Sequence, residues 1–269
     1  MQKIIVFDLD ETLGYFTQFG IFCDTLDNCL EIKDTKENFS DLHFNDLMEL
    51  FPEMLRPNIL KICGYLKKMK NQKKCSKIMI YTNNQGPKIW AENITKYFDK
   101  KLNMNFFDQI VAAFKVNGER VEVCRTSHDK KFNDFIKCTK LEEDVQICFL
   151  DDRYHPDMDH KNVYYINVKP YIYYYDFDEM IKRFLNSKLR KYVTNNETLF
   201  KDCAIKFINK YKFNHEKKKN EELEIDEIVS KKILFHLREF FKDIKKFTIK
   251  KKPRKNSSSK TQRQRLSIK

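Results

Sequence analysis

Five short apolar runs, "KIIVF" (3–7), "KIMIYT" (77–82), "FDQIVAAF" (107–114), "QICFL" (146–150) and "VYYINV" (163–168), recur along the chain with helix-like segments between several of them. Runs this short and this apolar read as strands buried on both faces, and strands that alternate with helices predict βαβ units and a parallel sheet. "RPNILKICGYLKKM" from Arg56 has a proline early in a helix, and Ile59, Leu60, Cys63 and Leu66 follow at helical spacing. "PKIWAENITKYFDKKL" and "DKKFNDFIKCTKL" read the same way. The fold class expected is therefore α/β, a parallel sheet flanked by helices.

Two insertions decorate this core. Residues 13–55 are expected to form a flap or small cap, and Asn117-Gly118 between alternating runs predicts a two-residue β-hairpin turn. The reading divides the chain into a catalytic domain over 1–175, a helical extension over 176–249 and a disordered basic tail over 250–269. The extension ends in "EELEIDEIVSKKILFHLREFFKDIKKF", with acidic residues early and lysines late, an order the helix dipole favours. Packing of that helix on the body is the expectation.

Charge and cysteines narrow the function classes. The net charge is +13, but residues 241–269 carry nine Lys and three Arg against one Asp, which leaves about +2 for everything before them. The basicity belongs to the tail, where "KKKPRK" (250–255) resembles a nuclear-localisation run or a nucleic-acid tether. The eight cysteines form no Cys-x-x-Cys, which predicts neither a zinc site nor a disulfide framework. No signal peptide and no membrane span are expected, so the reading is intracellular, cytoplasmic or nuclear.

The chemistry lies in polar clusters where the strands end, since ligands of open α/β sheets bind at the carboxyl ends of strands. "DLDET" puts Asp8, Asp10 and Glu11 within four positions directly after the first strand. Asp8 can attack a phosphate as a carboxylate nucleophile. Asp10, two residues on, can protonate the leaving group and then deprotonate water. A hard divalent cation, Mg²⁺, accounts for carboxylates held so close together. Thr82 offers a hydroxyl and a backbone N–H to a phosphate oxygen, and Asp151 and Asp152 bring further oxygen ligands after "QICFL". Lys130 is the candidate phosphate lysine, with Lys131 and Lys115 left open beside it.

In this order the residues resemble the haloacid dehalogenase (HAD) superfamily of phosphohydrolases over about residues 3–170. The resemblance implies a Rossmann-like catalytic fold and an aspartyl-phosphate on Asp8, with Asp10 as acid and base. Thr12, Thr82, Asn83 and Lys130 would bind substrate; Asp8, Asp10 through its carbonyl, Asp151 and Asp152 would hold Mg²⁺, Asp152 as a ligand or just behind one. "DLDETL" with "LRPNIL" looks most like the RNA polymerase II C-terminal-domain phosphatase branch, also called NLI-interacting-factor-like. Asn58 stands where that branch has Gly, and "TNNQ" and "DDRYHP" depart from its usual Thr-Ala-Ser and Asp-Asn-Ser-Pro. The AT-biased composition makes the whole similar to HAD-like proteins of large DNA viruses. A phosphoserine or phosphothreonine protein is the substrate expected first, ahead of a nucleic-acid 3′-phosphate or a nucleotide. An inactive scaffold with a nucleic-acid-binding tail is the non-enzymatic alternative. His128, His155 and His160 are expected to hydrogen-bond in loops, and "YIYYYDF" (171–177) to pack on the extension.

Deleting residues 250–269 leaves hydrolysis of a small phosphate ester unchanged but weakens nucleic-acid binding and flattens its salt dependence. Equal binding at every salt concentration, with and without the tail, would remove the tail as the contact.

Overall fold

A computed structural model describes residues 2–30, 37–193, 196–213 and 217–242, together with the backbone of 266–267. The apolar runs form strands β1 (Lys3–Phe7), β2 (Lys77–Tyr81) and β3 (Gln109–Val111). The hairpin strands β4 (Lys115–Val116) and β5 (Glu119–Arg120) follow, then β6 (Gln146–Asp151) and β7 (Val163–Asn167). Five of them make one parallel sheet in the order β3-β2-β1-β6-β7, with β1 at its centre. Ile4, Ile5, Val6 and Phe7 are all fully buried, as a central strand covered on both faces requires.

Alternation sorts these strands into two cores. Ile5, Phe7, Ile78, Ile80, Cys148 and Leu150 face one side, where α4 (Ile59–Asn71) and α5 (Lys88–Leu102) pack. Ile4, Val6, Met79, Tyr81, Ile147 and Phe149 face the other, covered by α6 (Phe132–Thr139). The Asn117-Gly118 turn closes β4 on β5 with both central residues at positive φ, 51° and 85°, as a primed hairpin turn demands. Helix α4 begins two residues later than its proline suggests. Pro57 lies outside it, and Asn58 precedes the first turn at φ 60°. Asn tolerates the left-handed region better than any other residue with a side chain, so its place where the resembled branch has Gly keeps the backbone conformation available.

Residues 13–55 are not a flap. They fold into α1 (Thr17–Cys29), α2 (Phe39–Leu42) and α3 (Phe44–Met48), with residues 31–36 outside the described set. Phe16, Phe19, Phe22, Leu26, Phe39 and Leu47 are buried in the larger core, a burial that a mobile cover could not keep. Helix α3 packs on α5, and α1 packs on α8 (Glu197–Ile208) of the extension. The rest of the extension, α7 (Phe177–Leu185) and α9 (Asn220–Phe241), belongs to the same body, with α9 against α4 and β7. The expected continuation of α9 to residue 247 and the tail with its basic run fall outside the described residues. The exception is Leu266–Ser267, a two-residue strand beside β7 rather than disordered chain.

The cysteines also depart from expectation. Cys29 pairs with Cys203 and Cys124 with Cys138, across 174 and 14 residues. Spacing carries no sign of such pairs, because tertiary packing alone brings them together; Cys23, Cys63, Cys75 and Cys148 are free and buried. Among the described residues no helix is long and apolar enough to cross a membrane.

The aromatic stretch after β7 packs inward, as expected. Tyr175 meets Phe51 edge to face, and its hydroxyl donates to the Glu53 carboxylate, which also receives Arg183 Nη1 at 3.2 Å. Partial burial pushes the Glu53 carboxyl up, but Tyr175 and Arg183 outweigh it and leave the group below its ordinary value of 4.5. A depressed native pKa contributes stability above the unfolded value and loses it as pH falls through the native one. Glu53→Gln is therefore expected to lower Tm by on the order of 2–4 °C at pH 6, the scale of one half-exposed ion pair. The gap to wild type closes below about pH 4. A gap that stays constant from pH 6 to pH 3 would exclude the carboxylate as its source.

Candidate active site

The carboxyl ends of β1, β2 and β6 meet around one cavity of about 150 Å³, lined by Asp8, Asp10, Glu11, Thr82, Asn83, Asn84, Lys130, Asp151, Asp152, Arg153 and His155. Parallel neighbours in register bring Asp8 and Asp151 to the same edge: Phe7 pairs with Leu150, and the Asp8 N–H donates to the Leu150 carbonyl at 2.8 Å. Asp8 (7% exposed) and Asp151 (1%) are thus placed by the sheet itself.

Lys130 holds the two together. Its fully buried ammonium donates to Asp8 Oδ1 and, at 2.6 Å, to Asp151 Oδ2. Of the three candidate lysines Lys130 is the one that lines the cavity, while Lys131 faces Asp157 on the surface and Lys115 lies over Phe114 beside the hairpin. Burial pushes the Lys130 ammonium toward neutrality, but the two carboxylates outweigh it and raise its pKa. Burial likewise pushes Asp151 up, yet Lys130 and His155, whose Nε2 lies 3.4 Å from Asp151 Oδ2, bring it below the ordinary carboxylate value. Asp8 goes the other way: desolvation, with Asp151 nearby, raises it despite Lys130. Burial also raises Asp10 and Asp152.

Five carboxylates therefore share a small cavity with Lys130 and Arg153. Oxygen atoms of Asp8, Asp151 and Asp152 lie within 4.8 Å of one another, a set of hard donors that could hold a divalent cation. The Asp10 carboxylate stands apart from that trio and accepts from Asn84 Nδ2 at 2.7 Å.

Two sequence assignments change. Thr12 does not line the cavity. Its hydroxyl donates to Asp152 Oδ1 at 3.3 Å and accepts from the Asp152 N–H at 3.1 Å, so it positions Asp152 instead of meeting a ligand. The Thr82 N–H is spent on the Val111 carbonyl at 3.0 Å as the ladder continues past β2. The Thr82 hydroxyl accepts from the Asn84 N–H at 3.0 Å, which leaves its own hydrogen to donate. Asn83 lines the cavity with its Oδ1 held by Arg125.

Sequence reading missed the two arginines that fix these loops. Arg125, fully buried, donates to the carbonyls of Thr82 (2.9 Å), Ala112 (2.7 Å) and His128 (2.9 Å) besides Asn83. Arg56, 1% exposed, donates to the carbonyls of Thr12 (2.6 Å), Glu11 (2.6 Å) and Lys169 (2.8 Å). Those bonds brace a bent loop in which Glu11 sits at φ 58°, a conformation costing about 1–3 kcal/mol in a residue with a Cβ. Gly14 closes the loop because a Cβ there would come within 2.6 Å of the Met54 carbonyl. No spacing rule marks either arginine, since most of their partners are backbone carbonyls from distant parts of the chain. His155 is the other addition: expected as a loop hydrogen-bonder, it reaches the cavity beside Asp151.

No protein-family model, no curated protein and no solved structure matches the chain.

Arg125→Leu strands four acceptors that are otherwise satisfied, at a cost on the order of 4 kcal/mol and a Tm drop of about 8–16 °C. Lys131→Ala, at a surface pair, shifts stability by less than about 1 kcal/mol. Similar melting curves for the two variants would deny Arg125 its anchoring role.

Proposed function

We propose that the chain is a Mg²⁺-dependent phosphohydrolase of the HAD type, acting on a phosphomonoester through an aspartyl-phosphate. The observation that carries this reading is the Lys130 bridge between Asp8 and Asp151, with Asp10 and Thr82 facing the same cavity. Asp8, Asp151 and Asp152 would hold the cation, which when bound neutralises the carboxylates and polarises the phosphoryl group.

Asp8 attacks phosphorus through a carboxylate oxygen, and the bond from phosphorus to the leaving oxygen breaks. Asp10 gives its proton to that oxygen. Burial raises the Asp10 pKa, and an acid that retains its proton longer suits this role. Asp10, now ionised, takes a proton from water, which attacks phosphorus and releases Asp8 and inorganic phosphate. Lys130 meets the negative charge on the transferring group, and the Thr82 hydroxyl donates to one of its oxygens.

The cavity also bears on substrate. At about 150 Å³ it is smaller than pockets that enclose a whole metabolite, roughly 300 Å³ and up. Among the described residues none of 13–55 and none of the hairpin lines it, so these described parts do not cap it. A phosphoryl group enters while its carrier stays outside, which favours a phosphoserine or phosphothreonine protein. One observation favours a second reading, a nucleic-acid 3′-phosphatase. Tyr154, between Arg153 and His155, stacks on Tyr165 and is 42% exposed, a platform that could take a base.

A chromogenic phosphate ester should be hydrolysed with Mg²⁺ and spared after chelation. Asp8→Asn is expected to lower kcat by about 10³-fold or more, the scale of losing a catalytic nucleophile. Turnover near wild type in that variant would refute the mechanism. Phosphopeptides and 3′-phosphorylated oligonucleotides compared by kcat/KM separate the two substrate readings, and Tyr154→Ala harms only the oligonucleotide.

A further inference from the structure

The helical extension meets the loop after β1 by way of Tyr171 and a buried ion pair. Asp226, in the second turn of α9, is 1% exposed, and its Oδ2 accepts from Lys218 Nζ. Its Oδ1 is buried without a hydrogen-bond partner, and so is Nη1 of Arg56, the arginine that holds the Glu11 and Thr12 carbonyls. Both cations face one ring: Lys218 Nζ lies 4.7 Å and the Arg56 guanidinium 5.7 Å from the centre of Tyr171. Tyr171 also ties back to the loop, donating its N–H to the Glu11 carbonyl at 2.8 Å.

Arg56 is thus a buried charge whose hydrogen bonds all go to neutral carbonyls. Burial is the largest influence on it and lowers its pKa to about 10; Asp226 and then Asp152 are the anions that oppose this. These anions lie in different parts of the fold. Asp226 belongs to α9, whereas Asp152 belongs to the acidic cavity. Without the charge on Asp226, Asp152 would be the principal anion left to attract Arg56. The guanidinium would be drawn off the loop and toward the carboxylates that a cation must occupy.

Building on the phosphohydrolase reading, we infer that Asp226 is a positioning residue for the site. Its buried charge keeps Arg56 on the Glu11 and Thr12 carbonyls and out of the acidic cluster. The role of α9 is then to set the geometry of the Asp10–Thr12 loop from behind, without touching substrate.

The test uses the full chain and a chromogenic phosphate ester at saturating and limiting Mg²⁺, well below the Tm of each variant. Asp226→Asn lowers kcat by about tenfold or more and raises the Mg²⁺ concentration for half-maximal rate severalfold, while KM for the ester moves less than about twofold. Asp226→Glu, which retains the charge, recovers most of the kcat. Because a lone buried Lys218 could unfold the Asn variant, the double variant Lys218→Met with Asp226→Leu replaces the whole pair by apolar groups, a change that is often neutral for stability. It is expected to fold, yet to keep the low kcat and the weakened Mg²⁺ response. Wild-type kcat and Mg²⁺ response in either charge-free variant overturn the inference and leave the phosphohydrolase reading standing. A wild-type protein that hydrolyses no phosphate ester overturns both.

Discussion

A buried ammonium between two buried carboxylates is the interaction on which the rest of the site depends. Asp8 and Asp151 arrive at the same sheet edge because β1 and β6 are parallel neighbours in register, and without Lys130 their charges would repel in a medium that screens poorly. The arrangement is still short of positive charge. Asp8, Asp10 and Asp152 all hold their protons more tightly than ordinary carboxylates, chiefly because burial strips water from them and in part because like charges lie close by. Oxygen atoms of Asp8, Asp151 and Asp152 lie near enough to one another that the cluster could hold a hard cation.

Two buried arginines supply the mechanical part. Arg125 fastens the loop after β2, and Arg56 fastens the loop after β1, in both cases mainly through backbone carbonyls. The planar fork of a guanidinium suits this work, because several donors are fixed relative to one another before any bond forms. The side chains that line the cavity are held to the sheet by register, and the loops that carry them are held by these clamps.

The parallel sheet was legible in the sequence because each strand is a short apolar run with a polar cluster at its end. Asp8, Asp10, Thr82, Asp151 and Asp152 could be picked out for the same reason, since strand ends and carboxylate spacing are local signals. Lys130 could not be separated from Lys131 in a lysine-rich chain; only the direction each side chain takes at the start of α6 distinguishes them. Arg56 acts through carbonyls more than forty positions away and leaves no local trace. The misreading of residues 13–55 had a visible remedy: Phe19, Phe22 and Leu26 follow one helical face, a stripe that predicts a packed helix.

The Cys29–Cys203 bond has a mechanical consequence. It encloses Thr82, Lys130 and Asp151 in one covalent ring, while β1 with Asp8 lies outside it. Tension applied along the chain from beyond the two cysteines would pass through that bond and spare the enclosed strands. The load would fall on the elements outside the ring, β1 among them, although β1 occupies the middle of the sheet. The strand that ends at Asp8 could leave only by shearing from two neighbours at once and tearing Asp8 from Lys130, so the bonds that assemble the site are also those that resist such a force.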